Sequence, residues 1–320
     1  MRIIIYGAGA IGGVFGGHLA LAGIETLLIG RPAQIYAIKQ NGLRLITPTE
    51  THTLFIPAVT APDQVDFKRD DIIFLCVKSQ DTEKALCSLK AAVSDVPVFC
   101  FQNGVRNEEI ASKFFSRVYG VKVQTGAKFV NYGEVISRSV PPGSPIMGCY
   151  PSGVDSLLED VVQTVRKAGF SVLASENIMS YKWGQLLNNL ANVVAAITDN
   201  GDEKSYDIIR AVRQEASVLM EEAGIRWISD EEIAKAWPEG VVQLSKKDIR
   251  ENSTWQSLIR KQGTIETEYF NGEIVRIAQQ LGKRAPLNET LLKIVQEMAA
   301  KRELPGKYSV EHLLNLLGLA

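Results

Sequence analysis

The sequence predicts an α/β fold in which a doubly wound parallel sheet is followed by an all-helical C-terminal domain. Two observations predict this fold. Short apolar runs alternate with amphipathic stretches in the first half of the chain, and after about residue 175 only helical spacings of three and four recur. With 320 residues, the chain is also long enough for two domains. We therefore expect one domain at 1–175 and a second at 176–320.

The predicted strands are continuous apolar runs at 3–6, 26–29, 72–77, 96–101 and 118–123. Such runs indicate strands buried on both faces, as in a parallel sheet covered by helices. Two further β-rich pieces depart from this rhythm. Residues 43–59 predict an inserted hairpin, and we place residues 128–150 at the edge of the same sheet, with Pro141-Pro142-Gly143 as a turn.

Helices are predicted at 178–197, 206–223, 254–281 and 289–301, where apolar residues recur at spacings of three and four. The stretch 208–223 is apolar on both sides. Such a helix packs either within its own domain or across a homodimer, and the sequence does not decide between the two.

Composition excludes several classes of protein. Lys and Arg total 35 and Asp and Glu total 36, so no overall positive charge exists to attract a nucleic acid. The four cysteines show no Cys-x-x-Cys spacing, which gives no indication of a metal site or disulfides. The chain opens directly into an apolar strand, and the glycine-rich stretch 8–23 is too short to span a bilayer. We expect a cytoplasmic protein without a membrane partner.

A glycine-rich turn follows the first predicted strand and opens a helix. This context is typical of a dinucleotide-binding, Rossmann-type domain: the first glycine allows the tight turn, the second lets the backbone approach a pyrophosphate, and the third allows close helix packing. The alternative is a glycine-rich turn without a ligand. The predicted cofactor-binding residues of the turn are Gly7, Ala8, Gly9, Ala10, Ile11 and Gly12.

The end of the second strand predicts which dinucleotide binds. An NAD enzyme places a carboxylate there, whereas this chain has Arg31, a cation suited to a 2′-phosphate. We therefore predict NADPH, against the alternative of an ordinary surface arginine. Lys78 and Asn103 follow two other strands at the edge where open sheets bind ligands, although such residues also occur simply as a solvated lysine and a turn asparagine.

The first helix of the second domain is predicted to carry Lys182, Gln185, Asn189 and Asn192 on one face. Aligned amides indicate either a polar cavity that binds a ligand or a polar interdomain or solvent face. None of the three histidines has a position suited to acid catalysis.

Glu266 lies in a predicted helical row at spacings of four. A carboxyl group in such a row is either a solvated charge or, if buried, needs a partner, for which Lys182 or a substrate hydroxyl are the candidates. The row comprises Leu258, Gln262, Glu266, Phe270 and Ile274.

Over essentially its whole length, the chain resembles the ketopantoate reductase family. The resemblance rests on the glycine turn, Arg31, Val77-Lys78-Ser79-Gln80, Gln102-Asn103-Gly104-Val105 and the segment 265–273. It implies NADPH-dependent reduction of a small 2-oxo acid to its 2-hydroxy acid, most simply ketopantoate to pantoate for coenzyme A synthesis. It also implies that Arg31 and Lys78 hold the NADP phosphate.

The resemblance further implies roles for five residues near the substrate. Asn103 would lie near the nicotinamide, Glu266 would be the active-site glutamate, and Thr254 would replace a substrate-binding serine. Asn189 matches the first of two family asparagines most simply, and Asn192 matches the second with a local offset.

The chain departs from the family at the catalytic lysine. The family pattern Trp-x-Lys-Leu reads Trp183-Gly184-Gln185-Leu186 here, and a neutral amide cannot supply a proton. We hypothesise that Lys182 takes over as proton donor, tuned by burial and by Glu266. Alternatively, a water held by Gln185 and Asn189 relays the proton, or the substrate is another 2-oxo acid. A non-catalytic NADPH-binding sensor and a related dehydrogenase acting on an opine or sugar acid also remain open.

Overall fold

The computed structural model describes residues 1–198, 204–240, 252–261 and 263–320. The chain divides into two compact units. Unit 1 comprises Met1–Lys182 and Ser229–Leu244, and unit 2 comprises Trp183–Ile228 and Ser245–Ala320. The division falls after Lys182, somewhat beyond the boundary expected from the sequence. The return of the chain to unit 1 after Ser229 has no counterpart in the sequence analysis.

Unit 1 is built on strands whose bounds follow chain order. They are β1 (Arg2–Tyr6), β2 (Thr26–Ile29), β3 (Leu43–Ile46), β4 (Thr51–Leu54), β5 (Ala58–Val59), β6 (Asp71–Leu75), β7 (Val98–Cys100), β8 (Val118–Lys122), β9 (Ala127–Asn131), β10 (Glu134–Ser137), β11 (Ile146–Cys149) and β12 (Leu173–Ala174).

The main sheet has the strand order β12-β11-β8-β7-β6-β1-β2-β5. The strands from β8 to β5 are parallel, and Ile4 of β1 lies beside Leu27 of β2 and Ile73 of β6. All three of these side chains are buried, as continuous apolar strands require. The predicted doubly wound parallel sheet is confirmed.

Helices cover both faces of this sheet. Their bounds are α1 (Ala10–Leu21), α2 (Pro32–Asn41), α3 (Thr82–Ala92), α4 (Asn107–Ser112) and α5 (Ser156–Lys167). On one face, Phe15 of α1 stacks on Phe170, and on the other Leu86 of α3 packs in a separate core with Val98 of β7. The two cores leave the carboxyl ends of the parallel strands as the edge at which loops collect.

The inserted hairpin does not join the main sheet. β3 and β4 form the predicted antiparallel hairpin, but β10 pairs with β3, and β9 pairs with β10, in a separate four-stranded sheet. Placing all of 128–150 at the edge of the main sheet was therefore wrong for β9 and β10. Only β11 joins that sheet, antiparallel to β8. Val135 of β10 packs this second sheet against α1. Its side chain is buried and lies so close to Gly13 that a Cβ there would come within 2.7 Å of it.

The described elements that follow are mainly helical. They are α6 (Ile178–Asn189), α7 (Ala191–Ile197), α8 (Lys204–Glu222), α9 (Asp230–Ala236), α10 (Ser253–Ile259), α11 (Asn271–Gln280), α12 (Pro286–Ala300) and α13 (Val310–Leu317). α6 begins in unit 1 and continues into unit 2, and α9 belongs to unit 1.

Two predicted helices are interrupted. The stretch 178–197 is split at Leu190, although that residue keeps helical dihedral angles and its N–H still bonds the carbonyl of Leu186 at 3.1 Å. The stretch 254–281 is truly broken. Lys261 and Gly263 adopt φ angles of +51° and +74°, which an α-helix cannot contain.

Two searches of the described residues gave negative results. No helix there combines the length and apolar character that a membrane crossing needs. The same residues contain no cluster of His, Cys, Asp or Glu side chains suited to holding a metal ion.

Candidate active site

The glycine turn lies between the end of β1 and the start of α1. Gly7 has a φ of +114°, and a Cβ there would lie 2.6 Å from the backbone of Cys76. A Cβ on Gly12 would lie 2.2 Å from the Gly7 carbonyl oxygen. Both positions therefore require glycine for the close approach of backbone to backbone.

Gly9 differs from its two neighbours in the turn. It has a φ of −86°, which any residue adopts, and nothing lies within 4 Å of the position its Cβ would occupy. The backbone is thus uncovered at the N-terminus of α1, where orphan N–H groups and the helix dipole favour an anion. These features match the division of roles expected of a pyrophosphate-binding turn, so the residues present fit a dinucleotide.

Arg31 begins α2 at the carboxyl end of β2. Its guanidinium is largely exposed and lies 3.0 Å from a carboxylate oxygen of Asp81. An exposed pair of this kind contributes little to stability. The guanidinium is therefore held at the surface and available to a second anion, as a 2′-phosphate site requires. Asp81 was not singled out by the sequence analysis.

A buried polar network joins the loops after β6 and β7. Gln102 donates from Nε2 to the carbonyl of Val77 at 2.9 Å and to the hydroxyl of Thr82 at 2.7 Å. Asn107 donates to the carbonyl of Asn103 at 2.9 Å and accepts from Thr82 at 2.8 Å. Because these bonds cross between strands, the two loops form one rigid polar edge.

Lys78 and Asn103 both lie on this polar edge, as their positions after strands predict. Each is only partly buried. Asn103 uses its backbone carbonyl to accept from Asn107 and, at 3.2 Å, from the Ser79 hydroxyl. Unit 1 thus brings the glycine turn, Arg31, Lys78 and Asn103 to the same edge of one sheet.

Lys182 is fully buried in unit 1. Its Nζ lies 2.6 Å from Oε1 of Glu108, which is also fully buried, and donates to the carbonyls of Gln102 at 2.9 Å and Val121 at 3.2 Å. Burial raises the pKa of Glu108, and the nearby ammonium opposes that rise. Among the described residues, the carboxylate partner of Lys182 is therefore Glu108, which the sequence analysis did not name as a candidate.

The amide residues of the predicted polar face lie in unit 2. Asn189 has a buried Nδ2 without a hydrogen-bond partner in the part of the chain that the structure describes. The side chain of Asn192 lies at the limit of bonding distance, with Nδ2 3.5 Å from Oδ1 of Asn189. Gln185 lies on α6, half-buried. A buried amide donor without a partner is costly to bury and points to a missing acceptor.

Thr254 is brought close to these amides by α10. Asn252 caps this helix by accepting from the N–H of Trp255 at 3.0 Å, and its own Nδ2 donates to the carbonyl of Asn192 at 3.2 Å. Thr254 is buried two residues further on. Unit 2 thus ties the segment of Thr254 to the segment of Asn192.

Glu266 does not lie on a long helix. It begins a 3₁₀ turn, Glu266–Tyr269, that precedes α11, and it is half-buried. The predicted row from Leu258 to Ile274 is therefore wrong, because Lys261 and Gly263 both adopt left-handed φ angles. Gln262, the second member of that row, lies outside the described residues.

Sequence reasoning missed Glu108, Asn107 and Asp81. A signal for the first two was present, since Asn107-Glu108 follows Asn103-Gly104 after only two intervening residues and opens α4. Polar residues at the start of a helix are typical of the surface, so the sequence alone did not indicate burial. The structure shows that Asn107 and Glu108 are both buried.

The sheet, the glycine turn and the helical unit define a two-unit protein of the Rossmann class. The model of the family Ketopantoate reductase PanE/ApbA matches residues 3–152, and that of its C-terminal domain matches residues 177–299. The chain belongs to the ketopantoate reductase family.

Curated relatives support this membership over the full length. A 2-dehydropantoate 2-reductase of Pyrococcus horikoshii is 32% identical over 96% of this chain and 99% of the relative. One of Archaeoglobus fulgidus is 31% identical over 92% of this chain and 97% of the relative.

Solved structures agree on the fold. A PanE/ApbA family ketopantoate reductase from Ralstonia eutropha superposes with a TM-score of 0.80 and 29% identity, covering 94% of this chain and 99% of that one. A D-mandelate dehydrogenase with NADH and anilino(oxo)acetate has a TM-score of 0.78 at 22% identity, covering 94% of this chain and 99% of that one. At that identity, the second likeness concerns the fold alone.

Proposed function

We propose that this protein is an NADPH-dependent 2-dehydropantoate 2-reductase, which reduces ketopantoate to pantoate in pantothenate and coenzyme A biosynthesis. The observation that carries the proposal is the full-length likeness to curated 2-dehydropantoate 2-reductases, at 32% identity in the Pyrococcus horikoshii protein. The glycine turn at the N-terminus of α1 also supports it, because Gly7 and Gly12 allow the close backbone approach expected of a pyrophosphate-binding turn and the backbone at Gly9 is uncovered.

Cofactor binding is assigned to the edge of unit 1. The turn Gly7-Ala8-Gly9-Ala10-Ile11-Gly12 would hold the pyrophosphate through its backbone N–H groups and the N-terminus of α1. Arg31 and Lys78 would neutralise the 2′-phosphate, Arg31 with its planar fork of donors. Bound there, NADPH supplies the hydride that the reduction requires.

The residues proposed to bind substrate are considered unit by unit. Asn103 would orient the 2-oxo acid from the edge of unit 1. Asn189 would donate its unpartnered Nδ2 hydrogen to a substrate oxygen, which removes the cost of burying it. In this proposal, Asn192, Thr254 and Glu266 complete the set by hydrogen bonding to the carboxylate and hydroxyl groups of the substrate.

The reduction also needs one proton at the developing alkoxide oxygen, and Gln185 cannot supply it. Two routes follow from the sequence. Either Lys182 donates the proton, or a water held by the amides of Gln185 and Asn189 relays it from solvent. The environment of Lys182 bears directly on this choice.

The substitution at Gln185 also favours a second candidate, a reductase for a different 2-oxo acid. A substrate panel separates the two. Initial rates of NADPH oxidation are measured with ketopantoate, 2-oxoisovalerate, pyruvate and phenylglyoxylate, and the product is identified by NMR. We expect pantoate from ketopantoate at the highest kcat/KM. A better rate with another acid would reassign the substrate, and binding of NADPH without any turnover would favour a sensor.

Cellular location and assembly belong to the same proposal. We infer a cytoplasmic enzyme that acts on a small molecule. For the oligomeric state, α8 buries Ile208, Val212 and Ala216 within the monomer, so that apolar face is not free for a dimer. Light scattering at micromolar concentration would give the mass and decide whether a homodimer forms through another surface.

A further inference from the structure

The ion pair of Lys182 and Glu108 lies beneath the loop that carries Asn103. Three acceptors surround the Nζ of Lys182 within 3.2 Å: Glu108 Oε1 and the carbonyl oxygens of Gln102 and Val121. An ammonium group has three hydrogens. Two of them are donated to the carbonyl oxygens of Gln102 and Val121, and the positive charge is paired with Glu108, so the ammonium group is already engaged within unit 1.

The partners of Lys182 belong to three different elements. Val121 lies in β8, Glu108 in α4, and Gln102 in the loop after β7, one residue before Asn103. The side chain of Gln102 is bonded in turn to Val77 and Thr82. The buried ammonium group of Lys182 therefore contacts β8, α4 and the loop after β7.

The first turn of α6, which precedes Lys182, packs closely against the main sheet of unit 1. Ile178, in the first turn of α6, packs over Gly120 of β8 and Gly148 of β11, where a Cβ would come within 3.1 Å and 2.7 Å of its side chain. With Ile178 and Lys182 one turn apart, this end of α6 has little freedom to withdraw the ammonium from its acceptors.

We propose that Lys182 is a positioning residue: through its ion pair with Glu108, it fixes the backbone at Gln102 and thereby the orientation of Asn103. It does not donate the proton. This inference rests on the proposed function for its catalytic consequence, because Asn103 matters for turnover only if a 2-oxo acid binds beside it. By elimination, the proton follows the water route through Gln185 and Asn189.

The test uses a double variant, Lys182→Met with Glu108→Leu. Removing one partner would leave the other buried and unpaired, which destabilises a fold strongly, whereas apolar replacement of both is generally tolerated. The matched control is Arg2→Met with Asp71→Leu, which removes another buried ion pair, 2.6 Å apart, at the start of β1 and β6. Lys182→Arg retains the charge and serves as a third variant.

The first readout does not depend on activity. Hydrogen exchange of the backbone amides in 101–106 is followed by mass spectrometry in the cofactor-free proteins. We expect exchange there to be about tenfold faster in the Lys182/Glu108 double variant and unchanged in the Arg2/Asp71 control. Unchanged exchange in a folded double variant would overturn the inference, even if no 2-oxo acid were ever reduced.

The second readout separates positioning from proton donation. We expect the double variant to have a kcat/KM for ketopantoate about 10- to 100-fold lower, with the high-pH limb of its pH profile retained. Lys182→Arg should recover part of that loss, because the charge still reaches Glu108. Restoration of turnover by methylamine, together with loss of the high-pH limb, would identify Lys182 as the proton donor and overturn the inference.

If the wild-type protein binds NADPH but reduces no 2-oxo acid, the proposed function fails by itself. The exchange measurement would still decide whether Lys182 fixes the Gln102–Asn103 backbone.

Discussion

In the proposed function, individual residues decide the choice of cofactor, and we expect Arg31 to contribute most. Replacing Arg31 with alanine should weaken NADPH binding by about 10- to 100-fold, because a charge-assisted hydrogen bond contributes on the order of 1.5–3 kcal/mol. NADH affinity should stay the same, since NADH lacks the 2′-phosphate. Fluorescence titration with both nucleotides measures the two affinities.

The matched control for Arg31 is Arg44→Ala. Arg44 is an exposed arginine of β3 whose guanidinium lies 3.4 Å from Glu134 in the second sheet. Neither nucleotide should bind differently to that variant. Equal losses of NADPH and NADH affinity in Arg31→Ala would show that Arg31 does not bind the 2′-phosphate.

The glycines of the turn should respond differently to alanine. Gly7→Ala should lower the free energy of unfolding by about 2 kcal/mol or more, because its Cβ would meet the Cys76 backbone at 2.6 Å and its φ is +114°. Urea denaturation measures this loss.

Gly9→Ala should leave the free energy of unfolding within about 0.5 kcal/mol of wild type, since the space around it is open. Its NADPH affinity should fall, because the methyl group stands where the pyrophosphate approaches. An unchanged affinity would mean that the cofactor does not lie against this turn.

At the scale of residues, candidate site residues were easier to predict from the sequence than the residues with which they form ion pairs. Arg31 and the glycines were visible because their roles depend on local spacing after a strand. The partner of Lys182 was not visible, because Glu108 lies 74 positions away along the chain and nothing local marks its burial.

Among the elements, α1 carries a titratable group that links stability to pH. His18, in its last turn, is half-buried beside the Phe170 ring, and this burial lowers its pKa to about 4, with a smaller contribution from His52. The unfolded chain takes up a proton at its ordinary pKa of about 6.5, whereas the folded protein does so only near pH 4. Stability is therefore lost as the pH falls from about 6.5 to 4.

This loss should reach about 3 kcal/mol at pH 4, the free-energy equivalent of the pKa shift. We expect His18→Leu to abolish it, so that the unfolding free energies of wild type and variant diverge only below pH 6.5. His312→Gln, in α13, is the control and should follow wild type. Parallel pH curves for wild type and His18→Leu would contradict this account.

Among the elements, the central strands could be predicted from the sequence, whereas some strand pairings and one helix break could not. Continuous apolar runs predicted the central strands, because burial on both faces leaves a local signature. The partners of β9 and β10 were missed, since pairing of β10 with β3 joins segments about 90 positions apart. Likewise, the break at Lys261 and Gly263 was hidden by apolar spacings that continue in register on either side of it.

The whole molecule combines a dinucleotide-binding unit with a helical unit, in a family defined by reduction of a 2-oxo acid. By its resemblance to that family, the chain has the glycine turn, the arginine, the asparagines and the glutamate that the proposed chemistry uses. It departs at Gln185, where the family has its lysine. The proposed function therefore depends on whether the site still permits turnover with this amide in place of the lysine.

The measurement that tests this most directly is the steady-state rate of NADPH oxidation with ketopantoate, followed by the absorbance of the reduced nicotinamide. The account predicts a kcat/KM of about 10⁴ M⁻¹s⁻¹ or higher, the range of a committed enzyme. No detectable rate, in protein that still binds NADPH, would contradict it and would identify Gln185 as the mark of another substrate or of lost chemistry.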